Sequence, residues 1–227
     1  HLAAETGQTN AFKTARSEEW DKTIKNKYKE TAFHLACRKG RINIVQLLLL
    51  KNNDLKINIS AEDDHGIDVL AKTKCGTTAF YLACRHGHAD VTKFLMENAD
   101  ALGINLNGTI GNICLTVFHW ACFYGQTDVV KIFMENAAAL SIDLNIKDLK
   151  GKTAFHMACE KSHLDIVEIF LENASALNID LNVKSLWKIL SLHMGDGPFS
   201  IKKILFSLTC RLRATLKLNL IWNFQIL

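Results

Sequence analysis

The sequence predicts an all-α solenoid of stacked helix-turn-helix units with turn fingers. Two observations carry that expectation. A heptad recurs four times, as "TAFHLAC" from Thr31, "TAFYLAC" from Thr78, "TVFHWAC" from Thr116 and "TAFHMAC" from Thr153. Each copy is followed by a second amphipathic run: "INIVQLLLLKN", "ADVTKFLMEN", "TDVVKIFMEN" and "HLDIVEIFLEN". Self-similarity at a period between about 20 and 50 residues marks units that cannot bury an apolar face alone and must stack.

Each element of the unit has a local cause. The threonine opening the heptad is suited to an N-cap, its hydroxyl accepting a free first-turn amide. Phe155, Met157, Ala158 and Cys159 supply an apolar or small helical surface. The helix should end near residue 162, where earlier copies have Gly40, Gly87 and Gly125, residues suited to a left-handed C-terminal cap. In the second run, Ile166, Val167, Phe170 and Leu171 fall on one helical face. Ahead of the heptad, "DLKGKT" from Asp148 places Asp and Gly at turn-forming positions.

Turn, short helix, short helix and extended return together resemble the ankyrin repeat, whose signature is Thr-Pro-Leu-His-x-Ala. Phe33, Phe80, Phe118 and Phe155 take the leucine position, and Ala32, Ala79, Val117 and Ala154 the proline position. A partial copy, "HLAAETG", opens the chain at His1, and a worn one, "LHMGDGPFSIKKILF", follows Leu192. The expected units are 1–25 (partial), 26–72 (with an extended finger), 73–110, 111–147, 148–184 and 185–217 (degenerate), then an apolar tail, 218–227. The start at His1, inside a repeat, predicts a fragment of a longer chain. The first full interval exceeds the last by ten residues. Asp63-Asp64-His65-Gly66 reads as a complete turn, so Ile67 to Gly76 is expected to be an inserted, exposed finger extension.

Composition narrows the function. Residues 184–227 hold seven basic residues against Asp196 alone, so the basic excess belongs to the tail and the repeat body is slightly acidic. The body therefore offers no bulk surface for a polyanion, and no nucleic-acid partner is expected. Arg211, Arg213 and Lys217 interrupt the most apolar segment, Ile204 to Leu227, which argues against a membrane span.

The seven cysteines raise a metal or redox reading. Cys37, Cys84, Cys122 and Cys159 occupy one repeat position, filled by Ala4 in the first copy, which small-side-chain packing explains. No pair has Cys-x-x-Cys spacing, and Tyr81 breaks the histidine series that His34, His119 and His156 would otherwise complete. In the ankyrin family this histidine bonds to the neighbouring turn and joins units. No phosphate loop, His-Glu-x-x-His or Gly-x-Ser-x-Gly occurs. The expectation is no metal, no cofactor and no catalysis, with the thiols reduced in the cytoplasm or, alternatively, the nucleus.

Function then rests on positions that escape the repeat. The resemblance places first-helix ends and turn tips along a concave binding face. The helix-end residues are Arg38, Lys39, Arg85, His86, Phe123, Tyr124, Glu160 and Lys161; the turn tips include Tyr28, Lys74 and Ile113. Basic pairs followed by an aromatic pair predict a stripe that binds a protein partner, with an acidic segment favoured. The expected function is a non-catalytic interaction scaffold. The alternatives are a regulatory segment of a larger enzyme or channel, and a degenerate copy without retained function.

Overall fold

The computed structural model describes residues 1–10, 24–49 and 67–181. The expected units after residue 184, including the apolar tail, lie outside them. The described residues form two helical layers. The first helices, α1 (Leu2–Thr6), α2 (Ala32–Arg38), α4 (Ala79–Arg85), α7 (Val117–Phe123) and α9 (Ala154–Glu160), pack successively on one another. The second helices, α3 (Ile42–Leu49), α5 (Ala89–Glu97), α8 (Thr127–Asn136) and α10 (Leu164–Asn173), form the other layer. A short α6 (Ala99–Leu102) begins one return. Among the described residues the only strands are β1 (Thr109–Ile110) and β2 (Leu115–Thr116), which make an antiparallel finger.

The repeated threonines do start helices. Thr31, Thr78 and Thr116 accept from the backbone N–H of His34, Tyr81 and His119 at 3.4, 3.4 and 3.3 Å. In return, the Nδ1 atoms of His34, His119 and His156 accept from the backbone N–H of Thr31, Thr116 and Thr153. An imidazole thus closes the capping box that a glutamate usually closes.

That bond also fixes the tautomer. With Nδ1 accepting, Nε2 carries the proton and donates into the next unit's finger, to Ala71 O at 2.9 Å from His34 and to Lys152 O at 3.3 Å from His119. His1 Nε2 meets Ile24 O and Glu30 O at 3.1 Å in the same manner. Burial pushes the pKa values of His34 and His119 down, against the raising effect of these carbonyls, so both favour the neutral ring. The staple expected from the family resemblance is present.

Between the layers, Phe133 of α8 lies 5.3 Å from Phe118 and 6.3 Å from Phe80, and Phe170 of α10 lies 5.3 Å from Phe155 and 5.8 Å from Phe118. Each second-helix ring therefore contacts two units. Ala36, Ala83, Ala121 and Ala158 and the four repeated cysteines are buried beside them, small enough for the first helices to approach closely.

The expected finger extension at Ile67–Gly76 is not there. Val69, Ala71 and Thr73 are buried, and Ala71 O receives the His34 staple. Ile67 stands eleven residues before Thr78, as Ile142 stands eleven before Thr153, so 67–76 is the regular return and turn. Thr73 opens that turn in the role of Asp148: Thr73 N–H bonds Thr77 O, as Asp148 N–H bonds Lys152 O. The ten additional residues therefore lie before Ile67, and Asp63 to Gly66 fall outside the described residues.

Candidate interaction surface

The residues ending each first helix form a continuous row, and local chemistry explains their arrangement. Helix α2 ends at Arg38, whose Nη1 donates to Glu30 Oε1 at 3.0 Å. Glu30 is buried and also accepts from Asn26 Nδ2 at 2.8 Å. At the same register in α9 the polarity is reversed, with Lys152 paired to Glu160. Lys39 Nζ lies 3.3 Å from Glu5 of the preceding unit. The basic side chains expected to await a partner are thus largely engaged within the chain.

Two units along from α2, past Arg85 and His86, the row becomes aromatic. Trp120 stacks on Tyr124 at 5.7 Å and meets Phe123 edge-on at 5.6 Å. Tyr81, standing where other units carry the stapling histidine, meets Trp120 edge-on at 5.8 Å. Two cations cap the group: Arg85 lies 4.9 Å from the Tyr124 ring centre and Lys161 Nζ 4.2 Å from that of Phe123. Such contacts contribute about 0.5–1 kcal/mol each at exposed sites. Tyr124 is 36% exposed, and Phe123 and Trp120 are partly buried. Trp120 Nε1 and Arg38 Nε are buried with no acceptor among the described residues.

Arg38, Lys39, His86 and His88 line an open cleft of about 480 Å³ between the second and third units. The His86 and His88 rings stack at 6.3 Å. His86 is pushed down in pKa by burial first, then by Arg85, His88, Arg38 and Lys39.

Beneath the row runs a ladder not anticipated from the sequence. His88 Nε2 donates to Arg38 O at 2.7 Å, Gln126 Nε2 to Arg85 O at 2.8 Å and His163 Nε2 to Phe123 O at 3.0 Å. Arg41 Nε reaches Glu5 O at 3.2 Å. Each rung uses the residue after the left-handed cap, and each satisfies a carbonyl near the preceding unit's helix end. Glycine at the cap leaves room for the rung that crosses it: a Cβ on Gly87 would lie 2.1 Å from Gln126 Oε1 and would displace that side chain, besides straining a backbone at φ 75°. The legible signal was side-chain N–H donors at Arg41, His88, Gln126 and His163.

The turn tips stand on the finger row. Tyr28, Lys74 and Ile113 are exposed, with Lys74 N–H donating to Tyr28 O at 2.8 Å and Ile113 at the tip of the β1–β2 finger. The four repeated cysteines are buried, and burial raises their pKa values, to about 12 for Cys84 and Cys159. Among the described residues no three His, Cys, Asp or Glu gather as a metal site. No described helix is long and apolar enough to cross a membrane.

A family model for ankyrin repeats matches the chain in three copies, over residues 1–110, 59–138 and 102–185. The chain belongs to the ankyrin repeat family. Ankyrin repeats are in general protein-interaction modules and imply protein partners. No curated protein matches this ankyrin chain. In ankyrin terms, the helix-end row lies where the first helices of successive repeats finish, and the finger tips form a second row.

Proposed function

We propose that this ankyrin stack is a non-catalytic scaffold that binds a protein along Arg38, Lys39, Arg85, His86, Phe123, Tyr124, Glu160 and Lys161, with Tyr28, Lys74 and Ile113 on the flanking finger row. The observation that carries this reading is the Trp120–Phe123–Tyr124 cluster, capped by Arg85 and Lys161 and open on one side. Aromatic and arginine side chains of this kind are the usual anchors of interfaces, because they bury large area at low entropic cost. The four repeated thiols are buried and shifted toward the protonated form, so that position serves packing and not nucleophilic chemistry.

The test compares proteins retained by the parent chain with those retained by Phe123→Ala/Tyr124→Ala and by Arg85→Glu. The expected outcome is a defined set retained by the parent and lost from both variants, whose circular dichroism is unchanged. Identical sets across all three proteins would overturn the reading.

A further inference from the structure

We propose that the cleft between the second and third repeats takes a single side-chain carboxylate of an extended partner segment, whose apolar residue docks on the aromatic cluster one repeat along. This rests on the helix-end row being the recognition surface, and it assigns the partner's chemistry. Three cations, Arg38, Lys39 and Arg85, gather around the cleft against two carboxylates, Glu30 and Glu5, leaving one formal positive charge. One carboxylate balances that charge, whereas a phosphate dianion does not.

The available donors are specific. His88 Nε2 is committed to Arg38 O and serves as a wall. Among the described residues Lys39 pairs with the partly exposed Glu5, a pairing that exchanges readily in water. His86 keeps an exposed edge, with its ring over the cleft, and partial desolvation together with the surrounding cations lowers its pKa. An entering carboxylate opposes those cations and gives Lys39 and His86 a shared acceptor.

Arg85 joins the two subsites. It contributes to the field at His86 and caps Tyr124 at 4.9 Å. Stacked helices stand about 8–10 Å apart, and an extended chain advances about 3.3 Å per residue. The cluster lies one to one and a half such steps from the cleft, roughly 8–15 Å, so the acidic and apolar residues of the partner should be separated by roughly three or four positions.

A peptide array tests this, each peptide bearing one Glu and one Trp or Leu separated by up to about eight serines. Parallel sets replace Glu with Gln, Lys or phosphoserine. Parent protein should bind best at a separation of three or four, and roughly tenfold less when Gln replaces Glu. Lys39→Glu with His86→Glu should lose the preference for Glu and gain one for Lys, a result that a misfolded variant could not give. Indifference to the acidic residue, a preference for phosphoserine without spacing dependence, or no binding by any peptide would each overturn the anchor. If the apolar residue still matters while the acid does not, the anchor fails and the row stands. If Phe123→Ala/Tyr124→Ala binds the array like the parent, the row itself fails, and the anchor with it.

Discussion

The junction between α2 and α4 and the junction between α4 and α7 are built on the same backbone plan with different chemistry. At the first, His34 caps its own helix and staples the next finger, and the helix ends are charged. At the second, Tyr81 replaces the histidine and turns an edge to Trp120, and the helix ends become aromatic. Both junctions keep the buried Ala-Cys pair and the donor rung beneath the row. Stacking therefore depends on the small buried positions and the rungs. The staple and the helix ends differ between the two junctions, and the helix ends are the part of that difference that the proposed scaffold would present to a partner.

The largest expected effect separates the shared core from the variable face. Phe133→Ala removes a fully buried ring touching Phe80 and Phe118, and should cost about 3–5 kcal/mol in urea unfolding. A loss under about 1 kcal/mol would mean the stack is not held there.

The rung can be isolated with glycines. Gly125 and Gly151 have nearly the same backbone, φ 72° and 73°. A Cβ on Gly125 would lie 2.6 Å from the His163 ring, whereas Gly151 has nothing within 4 Å. Gly151→Ala should show only the left-handed penalty, about 1–2 kcal/mol. Gly125→Ala should lose more, and the His163 Nε2 proton, released from Phe123 O, should exchange faster. Equal losses would remove the rung from the list of stacking devices.

Acid should weaken the histidine junctions. The folded pKa values of His34 and His119 lie below the ordinary 6.5, so the unfolded chain binds more protons as pH falls through that value. Their contribution is complete above about pH 6.5 and declines below it, with a slope of up to about 1.4 kcal/mol per pH unit for each proton. Urea midpoints from pH 8 to 5 should show this fall, and His119→Gln should flatten it. An unchanged slope would place the titrating groups elsewhere.

The smallest effect belongs to the aromatic junction. A double-mutant cycle on Tyr81→Ala and Trp120→Ala should give a coupling of about 0.5–1.5 kcal/mol for the edge contact. Zero coupling would reduce Tyr81 to a space-filling replacement for histidine.

The repeated features were legible because the backbone demands the same residue in every unit: Thr at the cap, Gly after the helix, Cys or Ala in the tight contact. The finger boundary was misread because Asp63 and Gly66 imitate Asp148 and Gly151, while Thr73 performs the aspartate's task with a hydroxyl. Burial of Val69 and Ala71 decided the register, and burial is a tertiary fact. The helix-end row was legible by position alone. Its internal pairing was not, since Glu30 meets Arg38 and Lys152 meets Glu160 only after the finger folds back. A sign reversal at the same eight-residue separation was the available clue. The return ladder, in which Asn107 holds Ser141 O and Asp143 N–H and Asn145 holds Asn178 O and Asp180 N–H, was visible as a repeated asparagine but not as a bond.

Amide hydrogen exchange on the parent chain, free and bound to a partner recovered through its binding row, tests most directly whether the variable helix ends are the recognition surface. Protection should appear at Arg38–Lys39, Arg85–His86 and Phe123–Tyr124, with the outer faces of α3, α5, α8 and α10 unchanged. Protection confined to those second helices would contradict it.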